Sequence, residues 1–419
     1  MIDRITRPAV EKINSVEFLV PIEYSLTEKV SLFHMKHVPN DTCRLDLYFD
    51  AGKITEEKGI ASFVNGVLLS GTEEKTSQEI NEVINGLGGY YDSGVSIENA
   101  VISIYCLKEN LSKIFETLMD AILNVSFIEK EVEEYISDSK QRFKLGLEKV
   151  SFLAQRAFQE VLFSNDSRYS KNTELNDYDS LSISDLKRFH QENYVKGLTK
   201  VVIVGDVEKN EIDEIIQLCL PICSPKTTEF TGDLKNIAGK KRIAKEGAIQ
   251  SAIRIGKIMF NKKHEDYLDF IIVNTILGDY FGSRLMSNIR EDKGYTYGIG
   301  SWMSELSNTG YFIIATEVGH EVKDETIKEI KFEIDRLQRE LVPLAELELV
   351  QNYMLGQLLK SADGPYAMMD LFLSAETHNE DLDFYNLAIK SVQEITPKRI
   401  QNLAIKYLNW ESMSIIIAG

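Results

Sequence analysis

The 419-residue chain carries the same run of elements twice, and this repeat limits its fold more than any other feature. Arg44, in the alternating run 43–49, has a counterpart in Arg254, 210 residues on. Gly89-Tyr90-Tyr91 is matched by Gly294-Tyr295-Thr296 at an offset of 205. Tyr194 and the apolar run to Gly205 are matched by Tyr407 and the run to Gly419, at offsets of 213 and 214. Near-constant offsets with the order preserved mark two copies of one unit. In each copy strand patterns come early, helical patterns fill the middle, and a last strand returns. The expectation is an α+β fold of two homologous domains, each a mostly antiparallel sheet with helices packed on one face. The length suits two domains. The stretch 222–245, polar and charged after Pro221 and Pro225, reads as the linker between residues 1–221 and 246–419.

In the first copy, the stretch Gly59–Thr72 reads as a short buried helix. Ile60, Phe63, Val64, Val67 and Leu68 give it apolar contacts on most of its surface, and Gly71 can end it. Ser62, Asn65 and Gly66 stand at i, i+3 and i+4, so they share one face. On such a face two imidazoles four apart can hold a zinc ion, with a carboxylate beside them as general base. Here the face carries a hydroxyl, an amide and bare backbone. An amphipathic helix over 75–87 follows, stopped by Gly88-Gly89, and then strands over 90–95 and 99–106. In the second copy the spacing predicts a strand over 252–260, helices over 266–277 and 283–291, and strands over 295–303 and 310–318.

Other metal or redox sites find little support. Of the six histidines, His34, His37, His190, His264, His320 and His378, only the first two are close. In an extended segment, residues three apart point to opposite faces. Cys43, Cys106, Cys219 and Cys223 are too few and too scattered for a disulfide framework and fit a reducing cytoplasm. Cys219 and Cys223 can share a helix face, but no second pair completes a zinc site. The net charge of -18 argues against nucleic acid and anionic membranes as partners. The start lacks an apolar leader and no run approaches ~20 apolar residues, so the expected location is cytoplasmic.

With the two copies in order, the sequence resembles the insulinase/pitrilysin family of zinc metallopeptidases, the inverzincins. The resemblance spans nearly the whole chain. In the first half it rests on Gly59-Ile60-Ala61 through Gly71-Thr72, on Leu87-Gly88-Gly89 and on Gly205-Asp206. In the second half it rests on Ser283-Arg284-Leu285, Ile289-Arg290-Glu291 and Gly294-Tyr295-Thr296-Tyr297. The family's zinc helix carries His-x-x-Glu-His in the register of Ser62-Phe63-Val64-Asn65-Gly66. Its third ligand, a glutamate on a later helix, falls in register near Arg142 or Phe143. Glu56 and Glu57 precede the helix and Glu148 lies more than a turn too far on, so no substitute is at hand. The resemblance therefore implies no zinc and no peptidase activity from this chain alone, with Ser62, Asn65, Gly66 and Arg142 as vestigial zinc-site positions.

The resemblance also implies what is kept. In active relatives an arginine and a tyrosine seven residues later hold the substrate backbone and help stabilise the tetrahedral intermediate, and Arg290 and Tyr297 match that pair. Read from the residues alone, Arg290 can equally cap a helix and Tyr297 pack in a strand. Tyr295 shares a strand face with Tyr297 and offers a second ring or a core contact. Segment 88–95 corresponds to the family's edge strand, where an extended peptide adds by backbone pairing flanked by Tyr90, Tyr91 and Asp92. Three functions stay open. The chain is the non-catalytic subunit of a pair, forming half of a clamshell around peptide next to a zinc-bearing partner, with a homodimer possible in its absence; or a purely structural or binding homologue; or an autonomous peptidase with a relocated metal site.

Overall fold

A computed structural model describes residues 13–55, 59–224 and 234–419. Eleven strands form two sheets among these residues. In chain order they are Ile22–Ser25 (β1), Ser31–Met35 (β2), Thr42–Phe49 (β3), Tyr90–Val95 (β4), Ala100–Leu107 (β5) and Leu198–Val204 (β6), then Lys240–Ile243 (β7), Gln250–Met259 (β8), Thr296–Leu306 (β9), Thr309–Gly319 (β10) and Ser414–Ala418 (β11). The first sheet runs β1-β2-β6-β3-β5-β4 and the second β7-β11-β8-β10-β9. β2 pairs with β6, and β7 with β11, in parallel. The other neighbours are antiparallel.

The path β2-β6-β3-β5-β4 thus recurs as β7-β11-β8-β10-β9, with β1 as the one addition. The register repeats as well. Arg44 faces Tyr105 and Val204 across its strand. Arg254 faces Ala315 and Ile416. The repeat seen in sequence is therefore a repeat of strand pairing. It also corrects the expected linker. Lys240–Ile243, inside the stretch 222–245, is β7 and takes the place that β2 holds in the first sheet. Residues 225–233 of that stretch lie outside the described residues.

Each sheet buries one face under helices of its own half, as expected. Leu45, Leu47, Phe49, Ile102, Ile104 and Ile203 form the first core with helices Ile60–Val67 and Leu111–Leu123. The capping box of Thr76 and Glu79 starts helix Ser77–Gly86 beside them. Ile253, Ile255, Phe312, Ile314 and Ile417 form the second core with helices Tyr267–Leu277 and Pro397–Tyr407.

The opposite faces are covered too, by helices of the other half. Helix Val150–Leu162 belongs to the first half by sequence, yet its Ala157, Phe158 and Leu162 pack on Ile258, Ile313 and Ile416 of the second sheet. Its counterpart Gly364–Glu376 lays Met369 and Leu373 on Phe33, Met35, Val202 and Val204 of the first sheet. Gly256 makes the first of these contacts close. A Cβ there would meet the Phe312 carbonyl oxygen at 2.1 Å and the Phe158 ring at 2.9 Å. Polar ties run beside the exchanged helices. Arg44 Nη2 donates to Asp370 Oδ1 at 2.7 Å, Lys200 pairs with Glu376, and the Ser307 hydroxyl donates to Glu98 at 2.8 Å.

Candidate functional site

Helix Ile60–Val67 is held by its apolar residues. Ile60, Ala61, Phe63, Val64 and Val67 are buried in the first core. Gly59, in the left-handed region at φ 71°, turns the chain into it. The helix ends at Leu68, three residues before Gly71, which is bridged to Thr76. Ser62, Asn65 and Gly66 lie as their spacing requires, and the structure shows what each does. Asn65 is buried, and its Nδ2 donates to Tyr194 Oη at 3.2 Å. Burial holds the Tyr194 phenol far above its ordinary value, with the Asn65 contact opposing. Ser62 is exposed.

Gly66 is overlain by Tyr135, from helix Glu129–Leu147. A Cβ built on Gly66 would lie 2.0 Å from Tyr135 Oη and 2.1 Å from its ring. Tyr135 Oη stands 3.5 Å from the Ser62 carbonyl oxygen, and its ring meets Phe63 edge-on. Arg142 is exposed, donates to Ser139 Oγ at 2.8 Å, and holds its guanidinium 5.7 Å from the Tyr135 ring centre. Phe143, the other position in register, is buried against Tyr178 and Phe152.

These donors do not fit a zinc ion. The face offers one hydroxyl, one amide already committed to Tyr194, and a glycine under a phenol, and the charged group that borders the same cavity as Ser62 on helix Glu129–Leu147 is the cation Arg142. Among the described residues no group of three or more His, Cys, Asp or Glu is arranged to hold a metal. Glu148 accepts from Lys245 at 2.6 Å instead of reaching inward. Glu56 and Glu57 lie outside the described residues. His34 is buried and bonds the Gly205 carbonyl at 2.8 Å through Nε2, while His37 is exposed. Cys219 and Cys223 are both buried, and the Cys223 thiol donates to the Cys219 carbonyl at 3.2 Å. Cys43 and Cys106, distant in sequence, meet across β3 and β5 with their sulfurs 3.4 Å apart as free thiols.

In the second half, helix 283–291 is expected from sequence, and the structure has a wide π-helical segment, Met286–Asp292. Arg290 lies in its last turn, with its guanidinium 4.7 Å from the ring centre of Phe281. Tyr297, on β9, is 94% exposed. It borders a groove of about 420 Å³ with Arg254, Trp302 and Glu317. Tyr295 precedes β9, is half-buried, and packs against the second core. It is a core contact and not a second ring beside Tyr297. β9 and β4 each form one edge of their sheet, with β7 and β1 at the other edges. On β4, Tyr90 is exposed and lies near the ring of Tyr105.

Ser62 and Arg142 border a different cavity, of about 500 Å³, together with Tyr135, Arg156 and Lys171. Of the sequence-predicted residues, Ser62 and Arg142 share this cavity, Asn65 and Gly66 border a smaller one, and Tyr297 borders its groove without Arg290. The sequence does not single out Tyr135 and Phe281, and it marks Tyr194 only as part of the repeat. Tyr135, Ser139 and Arg142 do fall at i, i+4 and i+7, which was the available signal for a shared face.

Comparison with known proteins covers both halves. Residues 33–165 match the family model "Insulinase (Peptidase family M16)" and residues 180–354 match "Peptidase M16 inactive domain". An uncharacterized zinc protease of Rickettsia bellii is 23% identical over 72% of this chain and 74% of its own length. Mitochondrial-processing peptidase subunit beta of Saccharomyces cerevisiae is 20% identical over 80% of this chain and 77% of its own. Among solved structures, a peptidase M16 inactive domain from Pseudomonas fluorescens aligns over 95% of this chain and 98% of that chain, at 21% identity and a TM-score of 0.84. A protease from Helicobacter pylori aligns over 96% and 100%, at 15% identity and a TM-score of 0.80.

Proposed function

The chain belongs to the insulinase family, peptidase family M16, without that family's catalytic motif, and on this premise we propose that it is the non-catalytic subunit of a heterodimeric zinc-dependent peptidase. The partner is a zinc-bearing subunit of the same family, which supplies His-x-x-Glu-His and the third ligand. This chain needs no cofactor of its own. Its share is the opposite wall. Arg290 anchors carbonyl oxygens of the peptide through its fixed donors. The Tyr297 phenol donates to the oxygen on which charge builds during attack. Ser62, Asn65, Gly66 and Arg142 are read as the remains of a zinc site.

One observation carries this reading. At the vestigial positions the metal donors are replaced or committed elsewhere, with Tyr135 over Gly66 and Asn65 bonded to Tyr194. The wall that would meet substrate is open, with Tyr297 almost wholly exposed and free to reach a ligand. Arg290, held over the exposed Phe281 ring, and the exposed Tyr297 both leave their polar groups available to a peptide. One of the similar proteins is itself named as a subunit of a peptidase, which supports the paired arrangement.

The test is co-purification with a zinc-bearing partner, followed by a peptide-cleavage assay. Arg290→Ala leaves the complex assembled and lowers hydrolysis by roughly a hundredfold or more, the scale on which an oxyanion-type donor acts. Tyr297→Phe lowers kcat more than it raises KM. Full activity in Arg290→Ala would reject the role assigned to the pair.

A further inference from the structure

We infer that the cavity bordered by Ser62, Tyr135 and Arg142 is an anion pocket that takes a carboxylate side chain of an acidic peptide. This rests on the reading of the chain as the peptide-handling half of a pair. It gives that half a preference of its own.

The argument starts from charge. The chain has 65 acidic residues and 47 Lys and Arg, yet the wall of this cavity carries Lys53, Arg142, Arg156, Arg168 and Lys171 and, among the described residues, no aspartate or glutamate. Five cations converging on one concavity in an acidic protein concentrate positive potential there, because the low-dielectric walls focus the field. Arg156 does pair with Glu174 and Arg168 with Asp166, but neither carboxylate borders the cavity. Arg142 and Lys171 are exposed, and Arg142 bonds only a hydroxyl, Ser139 Oγ.

The remaining lining suits a peptide side chain rather than a bare ion. Phe63, Tyr135, Phe143, Phe152 and Tyr178 give apolar walls for a methylene stem, and Gln155, Gln159 and Asn172 add neutral donors. The volume of about 500 Å³ is within the range of small-ligand sites. The cavity also adjoins an edge on which a peptide can be aligned. Helix Ile60–Val67 contacts β4, an edge strand of the first sheet, and Ile97, just beyond β4, borders the cavity. Backbone pairing along such an edge fixes a chain, and a neighbouring pocket then selects one side chain. Ser62 and Arg142, two of the four vestigial positions, thus border a pocket that favours carboxylates and not a cation.

The experiment uses the full chain without a partner. Fluorescence anisotropy follows a labelled glutamate-rich peptide and a lysine-rich peptide of the same length, at low and at high salt. The glutamate-rich peptide binds, the lysine-rich one does not, and salt weakens the binding. Arg142→Glu and Lys171→Glu each weaken it by roughly tenfold or more, the loss expected for a charge-assisted contact. Lys187→Glu, the same charge change on an exposed helix position elsewhere, leaves it unchanged. Equal binding of the two peptides, no response to Arg142→Glu and Lys171→Glu, or displacement of the peptide by an equal concentration of inorganic phosphate would each overturn the assignment. The readout involves no hydrolysis. Loss of this pocket and loss of the role of Arg290 are therefore separable outcomes.

Discussion

Gly66 and Tyr135 decide whether the vestigial site can be recovered. A side chain at position 66 must displace the phenol that lies over it, since even a Cβ would stand 2.0 Å from Tyr135 Oη. Gly66→Ala should therefore destabilise the protein by about 1–2 kcal/mol, the scale of overpacking. Adding Tyr135→Ala should remove most of that penalty, and denaturant unfolding of the two single variants and the double variant measures the coupling. A second residue-scale consequence concerns acid. Burial lowers the pKa of His34 against a raising contribution from the Gly205 carbonyl, and burial lowers that of His190 in the same way against Ile122. Both therefore fold as neutral rings. The unfolded chain takes up these protons first, near 6.5. Stability present above that pH is then lost as pH falls from about 6.5 toward the lower folded-state values. Thermal melting across this range should show the fall, and His34→Gln should flatten it. The sequence made Ser62, Asn65 and Gly66 legible, because helical spacing alone puts them on one face. It could not show Tyr135, because contact between two helices far apart in the chain is set by packing and not by local pattern.

At the scale of elements, the two exchanged helices hold the halves together. Helix Val150–Leu162 seals the second sheet through Phe158, and helix Gly364–Glu376 seals the first through Met369. Both side chains are fully buried. Truncating either leaves a cavity, so Phe158→Ala should cost about 3–5 kcal/mol and Met369→Ala about 2–5 kcal/mol. Each variant should lower the stability of both halves, giving one shifted transition when tryptophan fluorescence and circular dichroism are followed together. Two separated transitions would show that the halves fold apart. The sheet pattern and the repeat were readable because strand alternation and constant offsets are local and periodic signals. The exchange was not. An amphipathic helix announces that it has a buried face, but not which sheet receives it. β7 escaped for a related reason. Lys240–Ile243 is a four-residue edge strand rich in lysine and arginine, which as a string looks like the linker it follows.

For the whole molecule, one copy of the repeated unit has, among its described residues, no set of metal donors, and the other presents a tyrosine to solvent. The first half commits Asn65 and the space over Gly66 to contacts with Tyr194 and Tyr135. The second leaves Tyr297 exposed and holds Arg290 over the ring of Phe281. Two homologous halves that differ in this way suit a protein that completes its chemistry with a second chain, and the edge strands β4 and β9 leave backbone available for an extended peptide. The most direct test is reconstitution. The chain and a zinc-bearing partner are purified separately, and zinc content and peptide hydrolysis are measured on each alone and on the mixture. The account predicts no stoichiometric zinc in this chain, little hydrolysis by either protein alone, and strong hydrolysis when they are combined. One zinc per chain here, or a mixture no more active than the partner by itself, would contradict it.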